Sequence, residues 1–251
     1  MAEPRLHTLE ERNDLIPRLG EALDGAWPEF MMHGAVALEL WKDLRTQFLE
    51  FQWVLHDEEA GLVVGLGYSV PLLWEGGVER LPDGFDGAMR AAARQHQEGV
   101  RPNALCALEA AVSPKRRGEG LSGVLIQAMR RAAGVHRFDH LIAPVRPTWK
   151  DRYPLIPIER YMAWRRDDGL PFDPWLRLHE RLGGRILAPC PESTRITGSV
   201  AEWESWTGMA FPESGDYVVP GALTLVRIDR DRDIGEHVEP KVWVRHDPLR
   251  D

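Results

Sequence analysis

The apolar and polar positions of this chain alternate between helical and strand spacings. Leu15, Leu19 and Leu23 fall four apart within 9–24, which predicts a helix with one buried face, and 35–50 predicts a second. Two apolar runs follow at 51–55 and 62–70, separated by the polar 56–61, and predict two strands joined by a turn. Gly65 and Gly67 interrupt the second run, where another segment is expected to pack close to the backbone. Further on, 84–98 predicts a helix and 103–112 a strand. The stretch 121–133, apolar at 121, 124, 125, 128 and 129, predicts a helix, and 139–145 a strand. The segment 146–172 carries Pro147, Pro154, Pro157 and Pro171 around one short helix at 158–164. Asp173-Pro174 is an N-cap followed by proline at the first helical position, and Gly183-Gly184 ends the helix that it starts. Strands near 185–188, 194–200, 217–227 and 237–246, with a short helix near 201–206, complete a mixed α/β chain.

Composition narrows the class. With 251 residues, 43% hydrophobic and 28% charged, the chain has enough material for a real core, and one domain over 1–251 is expected. A net charge of −8 argues against nucleic acid as a partner and suits a cationic small molecule. Two cysteines, Cys106 and Cys190, make no disulfide framework, and no stretch approaches 18 apolar residues. No apolar leader pattern opens the chain, so a cytoplasmic protein without a membrane span is expected.

The densest chemistry lies in Val112-Ser113-Pro114-Lys115-Arg116-Arg117-Gly118-Glu119-Gly120-Leu121-Ser122. A strand, a glycine-bearing turn and a helix follow in that order. Such a turn presents unpaired amides at a helix N-terminus, where the dipole favours an anion. Two glycines alone fit an ordinary surface turn equally well. The wider pattern resembles the acyl-CoA-binding motif of the GNAT N-acetyltransferase superfamily, Gln/Arg-x-x-Gly-x-Gly/Ala. Arg117, Gly120 and Ser122 take its three places, Ser122 departing from Gly/Ala. Leu178-His179-Glu180-Arg181-Leu182-Gly183-Gly184 is similar to the family's closing Leu-Tyr-Glu-Lys-Leu-Gly-Phe, with His179 for tyrosine and Gly184 for phenylalanine. Together the motifs extend the resemblance over about 50–246, with 146–172 longer than the family's usual link.

The resemblance implies a strongly twisted, GNAT-like mixed sheet, flanked by helices and parted at its centre. It implies acetyl-CoA or another acyl-CoA as donor, held by the amides of Arg117, Gly118, Glu119, Gly120, Leu121 and Ser122. Lys115, Arg116 and Arg117 would supply local positive charge. An amide near Ala110, Ala111 and Val112 would polarise the thioester, and a small amine would receive the acyl group directly in a ternary complex. Glu109 is the nearest carboxylate for the amine's proton, or equally a structurally paired glutamate. By the same resemblance His179 protonates the leaving sulfur; the bland alternative is a histidine capping the last helical turn. Trp149, Tyr161 and Trp164 are read either as an acceptor wall or as core. An acyl-CoA-binding module without turnover and an O-acyl acceptor stay open, as does a homodimer. No metal is expected: Asp229-x-Asp231-x-Asp233 lacks the glutamate of a calcium loop and reads as a hairpin turn, and Arg137 lies between His136 and His140.

Overall fold

Nine strands share one sheet, in the order β1-β2-β3-β4-β5-β9-β8-β7, with β6 paired to β9 off this path. The computed structural model describes residues 3–250. Its strands are β1 (Arg5–Thr8), β2 (Gln52–Asp57), β3 (Leu62–Leu72), β4 (Ala104–Val112), β5 (His140–Val145), β6 (Arg185–Gly198), β7 (Gly215–Tyr217), β8 (Val226–Asp229) and β9 (Ile234–His246). The helices are α1 (Gly20–Leu23), α2 (Ala35–Gln47), α3 (Gly84–Gln97), α4 (Leu121–Val135), α5 (Ile158–Tyr161), α6 (Pro174–Arg181) and α7 (Val200–Thr207). All pairings are antiparallel except β4 with β5. This is the mixed α/β sheet with flanking helices that the sequence implied.

One irregularity positions everything that follows. Tyr68 pairs with Glu109 but Ser69 with Ala107, so Leu108 is an extra residue in β4, a bulge that re-aims the strand. β4 and β5 pair only where Ala104–Cys106 meets His140–Ile142. Beyond that β4 follows β3 as far as Gly65↔Val112, while β5 stays with β9 as far as Val145↔Val242. The sheet is therefore parted between the upper halves of β4 and β5.

The two faces of the sheet are covered differently. Leu66 and Tyr68 pack with Leu9, Leu15, Leu19 and Ala22 of the N-terminal segment. The opposite face holds α4 so closely that a Cβ on Gly67 would lie 2.9 Å from Met129 and 3.2 Å from Leu125. That close approach is what the strand glycines announced.

Three expectations need correction. Residues 9–24 are not one helix: Pro17 sits in a 3-10 turn, Asn13–Arg18, and only the four residues of α1 follow. The apolar spacing is still satisfied, because Leu15 and Leu19 are buried. Strands near 185–188 and 194–200 are one strand, β6, with its register shifted after Ile186 and after Cys190, around prolines that donate no ladder bond. Residues 217–227 are not a strand; β7 and β8 lie at their ends, with Pro220-Gly221 between them. The residues around 229–233 do form the β8–β9 hairpin turn, where Asp229 caps Arg232 N at 3.1 Å.

Candidate active site

The cradle forms at the top of β4. Ser113 N donates to Val64 O (2.9 Å), a turn over Pro114–Arg116 follows, and Gly120 caps α4 with φ +78°. That left-handed conformation suits glycine, and no side chain caps the helix. The amides of Arg117 to Ser122 find no acceptor among the described residues. Nothing lies within 4 Å of where a Cβ on Gly118 or Gly120 would stand, so the approach is open. These are the features an anionic pyrophosphate needs at a helix N-terminus. The positive charge is smaller than expected. Arg116 is buried and committed to Asp57 (2.6 Å) and Glu119 (2.7 Å), which tie the turn to β2. Lys115 and Arg117 are exposed. The Glu119 side chain belongs to Arg116, leaving only its amide for a ligand.

Strand alternation assigns the amides at the gap. With Ser113 N turned to β3, Ala111 and Glu109 face the same way, and the amides of Ala110 and Val112 point to the parted side. Ala111 is thereby corrected: its amide belongs to the sheet and its side chain is buried. Glu109 shares a face with its partner Tyr68, on the side covered by the N-terminal segment. Its Oε1 accepts from Trp27 Nε1 at 2.7 Å. Burial pushes the Glu109 carboxyl up to about 7, against the opposing pull of Trp27 and of Lys241. The same burial, with Glu109 beside it, raises the Tyr68 phenol.

The remaining predicted residues lie elsewhere. His179 Nδ1 sits 2.8 Å from His246 Nε2, both rings buried, and Trp175 packs edge-on. His246 pairs with Leu141, beside Leu105 at the joined end of β4 and β5. That is about five residues, roughly 16 Å of strand, from Ala110. Burial, and His246 next to it, hold His179 down at about 3, so it stays neutral. The proton-donor reading of His179 does not fit this place. His246 also explains Gly184, where a Cβ would meet its ring at 2.7 Å.

The aromatic residues of the insertion pack with one another. Tyr161 is buried, with its OH on Asp173 Oδ2 (2.9 Å), and Trp164 and Trp149 pack on Phe172 and Tyr153, in a cluster that also touches Ala107 of β4. Asp173 holds this segment together, accepting also from Trp149 N, Trp175 N and Leu176 N. The insertion is a small core on β5 and β9, built around Val145, Ile158, Leu176, Val242 and Val244.

The structure adds residues that sequence reasoning missed. Arg146 lies 5.7 Å over the Trp27 ring and pairs with Glu239 at 3.0 Å. Burial would raise Glu239, but Arg146, then His237 and Lys241, hold it at about 2. Lys241 is buried over Phe85. A signal existed for two of them: Glu239 and Lys241 alternate on the same strand face as buried Trp243, a charged pair where β9 should be apolar. Trp27 meets Glu109 across 82 residues, and no local pattern marks it. A cavity of about 290 Å³ between Phe51, His96, Val100 and Phe138 lies by the joined end of the sheet, away from this chemistry.

No protein-family model matches the chain. Arginine N-acetyltransferase avaD of Aspergillus versicolor is 31% identical over 271 residues, covering 96% of this chain and 93% of that protein. Among solved structures, the loading GNATL domain of CurA from Lyngbya majuscula superposes with a TM-score of 0.62 at 18% identity, covering 98% of each chain. The GphF GNAT-like decarboxylase in complex with isobutyryl-CoA gives 0.52 at 20% identity, covering 97% of this chain and 98% of its own. At those identities the two structures speak for the fold. The relative carries the rest: with its parted β4, open glycine cradle and near full-length similarity to an N-acetyltransferase, the chain belongs to the GNAT N-acetyltransferase superfamily and is an acyltransferase of that type.

Proposed function

We propose that this enzyme acylates the amine of a small molecule by direct transfer from acyl-CoA, with acetyl as the acyl group, in a ternary complex. The observation that carries the reading is Glu109, a carboxyl with a pKa of about 7 on the parted edge of β4, next to the outward amides of Ala110 and Val112. A free alkylamine has a pKa of about 10.4 and is mostly protonated at neutral pH, so it needs a base before it can attack. A base titrating near the working pH serves that purpose best. The amine nitrogen adds to the thioester carbonyl, and an amide of Ala110 or Val112 meets the developing oxyanion. Glu109 takes one proton from the ammonium before that attack. After addition the C–S bond breaks, and the surplus proton left on nitrogen passes to the departing sulfur, so that coenzyme A leaves as the thiol. With a conjugate pKa near 8.5, that sulfur leaves without a dedicated acid.

The relative's name specifies arginine, which makes arginine the first acceptor to test here. Free-thiol release from acetyl-CoA, followed with arginine and a panel of amines and alcohols, tests the proposal. Acceptor-dependent release with amines is expected. Release with alcohols alone would favour O-acyl transfer, and tight acetyl-CoA binding without release would favour a module that does not turn over.

A further inference from the structure

We infer that Lys241 is the binding site for a carboxylate carried by the acceptor, so that the acceptor is an amino acid rather than a simple amine. The inference rests on the amine-acylating reading above and adds the group that recognises the acceptor's other end.

Two chains of contacts run from Glu109 to β9 and frame the covered side of the gap. In one, Tyr68 beside Glu109 meets the edge of Trp41 (5.1 Å), Trp41 stacks on Phe85 (5.9 Å), and Lys241 Nζ lies 4.0 Å from the Phe85 ring centre. In the other, Glu109 holds Trp27, Trp27 lies under Arg146, and Arg146 pairs with Glu239, two residues from Lys241 on the same strand face. Glu109 and Lys241 thus border one region, approached from β4 and from β9.

The charges there are unequally answered. Arg146 takes up Glu239. Asp86 of α3 also faces the ammonium; its Oδ2 accepts from Arg195 N (3.1 Å), its Oδ1 has no hydrogen-bond partner among the described residues, and burial raises its pKa against the pull of Lys241. Lys241, 6% exposed, donates only to Thr194 Oγ1 at 3.3 Å and makes no ion pair among the described residues. An ammonium carries three donors. Although Glu239 and Asp86 act on this one without a direct ion pair, burial still pulls its pKa down, so a directly bonded anion would stabilise its charged form. A carboxylate arriving beside it supplies that anion through charge-assisted hydrogen bonds. The amine of the same molecule then faces Glu109, and one acceptor satisfies both ends.

The test compares arginine with agmatine, its decarboxylated counterpart, as acceptors for the wild type, Lys241→Met and Lys241→Arg. Wild type should prefer arginine. Lys241→Met should raise the KM for arginine by roughly tenfold to a hundredfold beyond whatever change it causes with agmatine, and so erase the preference. Lys241→Arg, which keeps the charge, should restore much of it and shows that the methionine effect is not misfolding. A wild type indifferent to the carboxylate, or a methionine variant that keeps the wild-type preference, overturns the inference. If no amine is acylated at all, the catalytic reading fails separately, and thermal shift decides on Lys241. Arginine should then stabilise the wild type and not Lys241→Met, and an equal or absent shift in both overturns the inference.

Discussion

Glu109→Gln separates catalysis from stability at one atom pair. Glutamine keeps the shape and can still accept from Trp27 Nε1, but it takes no proton from an amine. Losing a positioned general base costs about a hundredfold to ten thousandfold in rate. In the wild type, kcat/KM for the amine should rise with pH until Glu109 is ionised near 7, falling about tenfold per pH unit below that. In the variant that limb should vanish while the acetyl-CoA-induced melting shift holds. Stability should move the other way. The folded pKa is raised from 4.5 to about 7, so the native state binds this proton more tightly than the unfolded chain. Its contribution is greatest below 4.5, declines as pH rises to about 7, and is lowest above that. At about 1.4 kcal/mol per tenfold change in proton affinity, the ionised carboxyl costs up to about 3 kcal/mol near pH 8. Glu109→Gln should therefore raise the Tm by several degrees near pH 8, with the gain gone near pH 4. Steady-state thiol release and calorimetric melting across pH read both effects. Wild-type kcat/KM with an unchanged acid limb in the variant would refute the base, and an equal Tm gain at every pH would refute the shifted pKa.

Gly120→Glu should abolish the melting shift given by acetyl-CoA, because it forces a side chain into a φ of +78° and sets a negative charge at the amides of the cradle; an undiminished shift would remove the pyrophosphate from that turn. Asp173→Ala should cost about 3–5 kcal/mol in urea unfolding, the sum of a lost cap and of stranded donors on Trp149 and Tyr161, with Asp173→Asn recovering part of it. His179→Ala should lower stability by about 2–4 kcal/mol through a cavity and an unpaired His246, while kcat and its pH profile stay at wild type. A stable protein that has lost kcat would return His179 to the chemistry.

What this sequence determined by itself was whatever is local. The Val112–Ser122 turn, the Asp173-Pro174 helix start and the strand glycines each act through neighbours in the chain or through backbone conformation, and each stands in the structure where its pattern put it. The same reasoning failed where an element's extent depends on what it packs against: Pro17 broke a helix whose apolar spacing continued, and β6 ran on past Pro189 because β9 pairs along it. The candidate site lay beyond local reading for the same reason. The base role proposed for Glu109 depends on a bulge beside it at Leu108, on the N-terminal segment that half-buries it and on Trp27, which donates to it. His179 fits the closing-helix pattern by position, yet His246, 67 residues away, takes its ring and burial keeps it neutral. Spacing fixes which residues share a helix turn or a strand face. Burial, pKa and partner are set by contacts between segments far apart in the chain, and only the folded sheet brings those together.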